Sequence, residues 1–294
     1  MATYVALVAL VVAASLGSAL LRDAEAAKVA ATPTAADPKK SSGGEVTAEL
    51  PPPDLPTTNA QGYTFDLKTS LKANLGSVPK EAAVYQLLRE GPTLKSAQLV
   101  TDKLKIGASI EDRGDGTFQA SGNGKVFITA DLVQYFSAAT STDGDLPTDD
   151  EAVAAARDWL RTSGLLPPDL GSAAIASRSE SGKRLTISFV PAEPLGVLSA
   201  YPGITISMGP KSEVVEAAVR WATIVRSDVY QLMETKQAWQ IVQSGQAYIE
   251  TDLSRAKIDP GSDVKGRATF SKVTIAYATS GPPGGKQFLQ PVYV

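Results

Sequence analysis

Few side chains in this sequence offer chemistry, and they fall into four groups. Asp149, Asp150 and Glu151 are consecutive acids that suit a paired general acid and base or the ligation of a cation. Asp112 and Asp115 border a glycine-rich turn like a calcium loop, but the alternating acidic series and later Glu that such loops need are missing. Gly122-Asn123-Gly124-Lys125 has the flavour of a phosphate loop without its spacing or the hydroxyl residue after lysine. Trp159, Trp221 and Trp239 are candidate platforms for stacking a sugar or a peptide.

Most of these groups have a structural explanation. The acids at 149–151 sit where a helix begins and complement its dipole, while both glycine stretches read as hairpin turns. Two of the tryptophans fall on helical core faces; Trp221, beside Arg220 in an alternating strand, is the best candidate for a contact surface. No residue is assigned a catalytic, cofactor-binding or metal-ligating role, and no cofactor is expected.

Composition narrows the function further. The 294 residues include no histidine and no cysteine, so disulfides, thiolate nucleophiles, Cys/His zinc sites and a Ser-His-Asp triad cannot be assembled from this chain. A formal net charge of -3 gives no basic surplus with which to release counterions from phosphates, which argues against a nucleic-acid partner. A hydrophobic fraction of 43% suits a folded protein.

The elements that would position such residues show a weak recurrence of a helix start, a short amphipathic helix and strand-like runs. The first unit opens at Thr93, where Leu94, Ala97, Leu99, Leu104 and Ile106 fit one helical face and Gly107 suits the C-terminal cap. Strands are expected at 109–112, 117–120, 125–130 and 132–136. The second opens on a capping box at Thr148 and Glu151, buries Val153, Ala156, Trp159 and Leu160, and ends at Gly164 before Pro167-Pro168. Strands are expected at 174–179, 185–190, 204–208 and 214–224. The third starts at Thr235, carries Ala238, Trp239, Ile241 and Val242, closes at Gly245, and is completed by strands at 247–251, 268–278 and 288–294. The expected fold is α+β, with repeated units of one helix packed on a short antiparallel sheet.

Ahead of these units, residues 4–21 carry no charge, and as a helix they nearly span a bilayer core of about 30 Å. A retained anchor is favoured over a cleaved signal peptide, because the run is long and no Lys or Arg precedes it. Ala9, Ala13 and Gly17 recur every fourth residue and would form a small-residue stripe for packing against another membrane helix. Residues 28–61, rich in Pro, Ala, Ser and Thr, read as a flexible spacer. The expected organisation is an anchor at 1–27, the spacer at 28–61, a first α+β domain at 62–140 and a second at 141–294.

From Pro92 to Val294 the order of elements resembles the YycI and PepSY-like group of extracytoplasmic domains. The resemblance is carried by EAVAAARDWLRTSGLLPPDL from Glu151, GITISMGPKSEVVEAAVRWATI from Gly203, TKQAWQIVQSG from Thr235 and the closing VTIAYATSGPPGGKQFLQPVYV. It implies a non-catalytic regulator held by one membrane anchor with its bulk outside the cytoplasm. The expected partners are the bilayer through residues 4–21, and another membrane protein or copies of the chain itself. The alternative is a structural subunit of a surface filament or an accessory subunit of a membrane complex.

Overall fold

The structure is a computed structural model, and it describes residues 7–13, 50, 53, 64–138, 141, 143–245, 247–251, 263–282 and 285–294. In chain order it opens with β1 (Leu7–Ala13), β2 (Thr64–Leu71) and β3 (Glu81–Leu88). Helix α1 (Leu94–Lys103) is followed by β4 (Glu111–Asp112), β5 (Phe118–Ser121), β6 (Gly124–Ile128) and β7 (Val133–Ser137). Helix α2 (Asp149–Ser163) is followed by β8 (Leu170–Ser179), β9 (Arg184–Pro191), β10 (Gly203–Met208), β11 (Val214–Arg220) and β12 (Thr223–Gln231). The chain then forms α3 (Thr235–Gln243), β13 (Tyr248–Thr251), β14 (Asp263–Phe270), β15 (Ile275–Ser280) and β16 (Gln287–Tyr293).

Contacts divide the chain into two compact units. One is built from Met1–Gln86 and Val225–Val294, the other from Leu87–Ile224. The boundary expected between residues 140 and 141 lies inside the second unit.

The continuous unit contains one antiparallel sheet of eight strands in the order β4-β5-β6-β7-β11-β10-β9-β8. This corrects the expected fold class: strands make up 44% of the structure, with three helices, so the protein is mostly β. The short separate sheets are not formed because β7 pairs with β11, from Val133↔Val219 to Phe136↔Glu216. That pairing removes the open edge each meander would otherwise present. The sheet is covered on one face. Ala152, Ala156 and Leu160 of α2 lie on Leu185, Ile187, Phe189, Ile204 and Ile206, all nearly fully buried. Ala97 of α1, with Ile106, lies on Phe118, Ala120, Val126 and Ile128. Along β9, Leu185, Ile187 and Phe189 are buried while Thr186 and Ser188 are only half-buried, the period-two alternation of a sheet covered on one side.

Capping chemistry fixes α2. The Glu151 carboxylate accepts from the Thr148 amide (2.9 Å) and hydroxyl (2.8 Å), and the Glu151 amide donates to the Thr148 hydroxyl. At the other end Gly164 adopts φ 74°, and the Leu165 amide reaches back to the Leu160 carbonyl (2.8 Å). Helix α1 differs from expectation. It ends at Lys103, and Leu94 and Leu99 are exposed rather than on its buried face.

In the discontinuous unit β2 and β14 pair in parallel, from Thr64↔Asp263 to Leu71↔Phe270. A second sheet runs β12-β3-β16-β1-β13, with β15 on β16. Ala238 and Val242 of α3 are buried with Met233, Phe270 and Tyr293, whose hydroxyl donates to the Met233 carbonyl (2.7 Å). The third expected repeat is therefore not a unit of its own. Its strands find partners in β2 and β3, two strands ahead of α1 that the recurrence does not include.

The expected membrane helix is also corrected. Of residues 4–21 the structure describes Leu7–Ala13, which is extended and paired with β13 (Leu10↔Ile249, Val11↔Tyr248) and β16 (Val12↔Tyr293). Among the described residues no helix is long and apolar enough to cross a membrane. Valine at 8, 11 and 12 suits a strand as well as an apolar helix, and periodicity does not separate the two in a run apolar at every position. Ala9 and Ala13 lie in this strand, and Gly17 lies outside the described residues. Within the expected spacer, Leu50 is 6% exposed against Val84, Tyr230 and Phe288, and Pro53 bridges to Ser280.

Candidate functional site

In the continuous unit an open groove of about 410 Å³ lies between the first half of α1, the Gly164–Pro168 loop after α2 and the Thr129–Leu132 turn joining β6 to β7. Clefts of about 300–1,000 Å³ are the usual size of ligand sites. Each wall follows from local sequence. The Gly164 cap stops α2, and Pro167-Pro168 prevents it from resuming, which leaves Leu166 at the surface, 36% exposed. The turn is closed by Thr129, whose amide donates to the Leu132 carbonyl (2.8 Å) and whose hydroxyl donates to the Asp131 carboxylate (2.7 Å). The floor is apolar: Ala97, Val100, Ile128, Val133, Val219 and Leu165.

Trp221 lines this groove at the end of β11. Its ring packs on the α2 core cluster, and its indole N–H donates to Asp169 Oδ1 at 2.9 Å. The ring is thus held in one orientation before any ligand arrives. Arg220, its expected companion, is not beside it. Val219 is buried against the helices and Arg220 is exposed, so strand alternation places Arg220 on the open face of the sheet.

Electrostatically the lining is acidic, with the Lys103 ammonium against Gly164 at its edge. Among the described residues its charged lining side chains are Glu90 and Asp131, both acidic. Asp131 also pairs with Arg89 (3.5 Å), which stacks over the Tyr201 ring with its guanidinium carbon 5.0 Å from the centroid. Burial pushes the Tyr201 hydroxyl up to about 12, with Arg89 opposing and Asp131 reinforcing the shift, so it stays neutral through the physiological range. The hydrogen-bond donors along the walls are largely used within the protein. The Ser96 hydroxyl donates to the Thr93 carbonyl (2.9 Å), the Trp221 N–H to Asp169, and Pro92, Pro167 and Pro168 have no N–H to offer.

The remaining candidates serve the fold. Asp149 pairs with Arg178 at 2.6 Å, and Glu151 closes the helix cap, its carboxyl held below the usual range by the Thr148 amide and hydroxyl. Asp112 and Asp115 accept from the Gly114 and Thr117 amides (2.8 and 3.0 Å) and shape their hairpin. In the glycine-rich turn the Asn123 amide donates to the Ile106 carbonyl (2.7 Å), and a Cβ on Gly122 would stand 2.2 Å from that oxygen. Glycine is there for backbone approach. Trp159 packs on Tyr135 (5.5 Å) and Trp239 on Phe270 (5.2 Å).

Sequence reasoning singled out Trp221 but missed Glu90, Asp131 and the Leu166–Pro168 wall. A pair of leucines directly after a helix cap, followed by two prolines, is the one signal that pointed to the wall. Asp131 sits in the local β6–β7 turn, but that this turn faces Glu90, the first half of α1 and the loop after α2 depends on packing between segments distant in sequence. No family model, curated protein or solved structure matches the chain.

Proposed function

We propose that this chain is a non-catalytic interaction module that holds a segment of a partner protein in the Trp221 groove. This agrees with what the likeness to YycI and PepSY-like domains implies about function. The observation that carries the reading is the groove itself: ligand-sized, apolar-floored, and walled by an aromatic ring already fixed by a hydrogen bond. Of the acids considered for catalysis, Glu151, Asp149, Asp112 and Asp115 are engaged in a helix cap, an ion pair and turns, which supports recognition over chemistry.

The test is selection of short peptides from a random displayed library against the intact protein. The expected result is a set of peptides whose affinity drops at least tenfold for Trp221→Ala and for Leu166→Asp. Peptides that bind both variants as well as the parent would remove the groove reading.

A second reading, a subunit of a larger assembly, is favoured by a different feature. Phe127 and Phe136 are each 38% exposed on the open face of the sheet, with Lys125 opposite Phe136 and Gln134 opposite Phe127. Light scattering of the parent and of a Phe127→Ser, Phe136→Ser double variant separates the two readings. A parent oligomer lost in the variant supports assembly, and a parent that is monomeric at high concentration refutes it.

A further inference from the structure

We propose that the segment held in the Trp221 groove is cationic, a stretch of a partner polypeptide that carries lysine or arginine among aliphatic residues. This rests on the reading of the groove as a recognition site and adds the chemistry of what it recognises.

The groove supplies acceptors. Glu90 is exposed and makes no ion pair among the described residues, and it is the chief acceptor; Asp131, 53% exposed at its side chain, takes Thr129 on one oxygen and Arg89 on the other and offers only the lone pairs these leave. It supplies few donors, because the side-chain N–H and O–H groups on its walls already serve Asp169, Asp131 and Thr93. A ligand rich in acceptors, such as an acidic peptide or a phosphorylated one, would meet like charge and find little to bond. A ligand rich in donors with an aliphatic stem fits each surface in turn. Methylene groups lie along Ala97, Val100 and Val219, the ammonium or guanidinium reaches Glu90 or Asp131, and the Trp221 face can attract a second cation.

The basic groups nearest the groove do not cancel this preference. Arg89 is committed to Asp131 and Tyr201. Lys103 lies against Gly164, where its ammonium faces the C-terminal end of α2. Lys95 is exposed on α1, and Arg220 lies on the opposite face of the sheet.

The experiment measures fluorescence anisotropy of three labelled short peptides with the full-length protein at low salt: one alternating lysine with leucine and valine, one with glutamine in place of lysine, and one with glutamate. The lysine peptide is expected to bind about tenfold more tightly than the glutamine peptide, with the glutamate peptide weakest and the advantage shrinking as salt is raised. Glu90→Gln, and Glu90→Gln with Asp131→Asn, are expected to reduce the advantage by about two- to fivefold per carboxylate. Unchanged thermal melting of Glu90→Gln guards against a folding artefact.

Equal binding of the lysine and glutamine peptides, both lost in Trp221→Ala, would overturn the cationic preference and leave the interaction module standing. A lysine advantage that survives both carboxylate variants would place the charge recognition elsewhere and overturn the inference. Failure of every peptide to bind would overturn the inference together with the reading it rests on.

Discussion

Substituting Trp221 by Phe tests whether the groove wall is built in advance. The change keeps an aromatic ring against the α2 core but removes the N–H that donates to Asp169 Oδ1 at 2.9 Å. A hydrogen bond to a charged acceptor is worth about 1.5–3 kcal/mol, and because Asp169 is only half-buried the lower end applies. Lost ring area adds about 1 kcal/mol. Trp221→Phe should therefore cost about 2–3 kcal/mol and Asp169→Ala about 1.5 kcal/mol, while the double variant costs little more than Trp221→Phe alone. The coupling from the double-mutant cycle, read in urea unfolding, should be about 1.5 kcal/mol, a change of roughly 4 °C in melting temperature for a unit of this size. A coupling below about 0.5 kcal/mol would refute the reasoning, because the ring would then be placed by packing alone and free to move on its axis.

Two further outcomes follow from other parts of the molecule. Leu50→Ala should lower stability by about 2–3 kcal/mol in urea melts, since a side chain 6% exposed against Val84, Tyr230 and Phe288 leaves a cavity when truncated; a loss under about 0.5 kcal/mol would mean that this segment is not held in solution. The Glu151 carboxyl is depressed by its hydrogen bonds from Thr148, so its contribution is present above the ordinary glutamate range, near 4.3, and is lost as pH falls through the lower folded value. Glu151→Gln should accordingly flatten the acid side of the stability profile measured by thermal melts, and an unaltered acid limb would argue against the cap.

Local features of the fold were the readable ones. Thr93 and Thr148 cap α1 and α2 as their side chains suggest, Gly164 ends α2, and the Gly114–Gly116 hairpin lies where its turn chemistry puts it. What the pattern does not carry is partnership between strands. Nothing near Val133 announces Val219, and nothing near Thr64 announces Asp263, because each strand alone shows only its period and its apolar face. The expected strand at 214–224 is in fact two, β11 ending at Arg220 and β12 starting at Thr223, with Trp221 at the break. The break takes Trp221 out of the ladder and into the groove wall. For the same reason the site was half legible. An aromatic residue beside a charged one marks a candidate, but which face each occupies depends on the register of the whole sheet.

The division of the chain also sets an order of events during synthesis. Leu87–Ile224 is a continuous stretch that includes both helices and all eight strands of its sheet, so it holds what it needs once it has left the ribosome. The other unit cannot close at that point. Its early part, including β2 and β3, waits for β14 and β16, which are made last. A nascent chain stalled once residue 224 has cleared the ribosome should therefore already display the Trp221 groove while β2 still lacks β14 and β3 still lacks β16. During that interval those strands are the part of the protein most open to chaperones, to proteases and to mispairing with other copies.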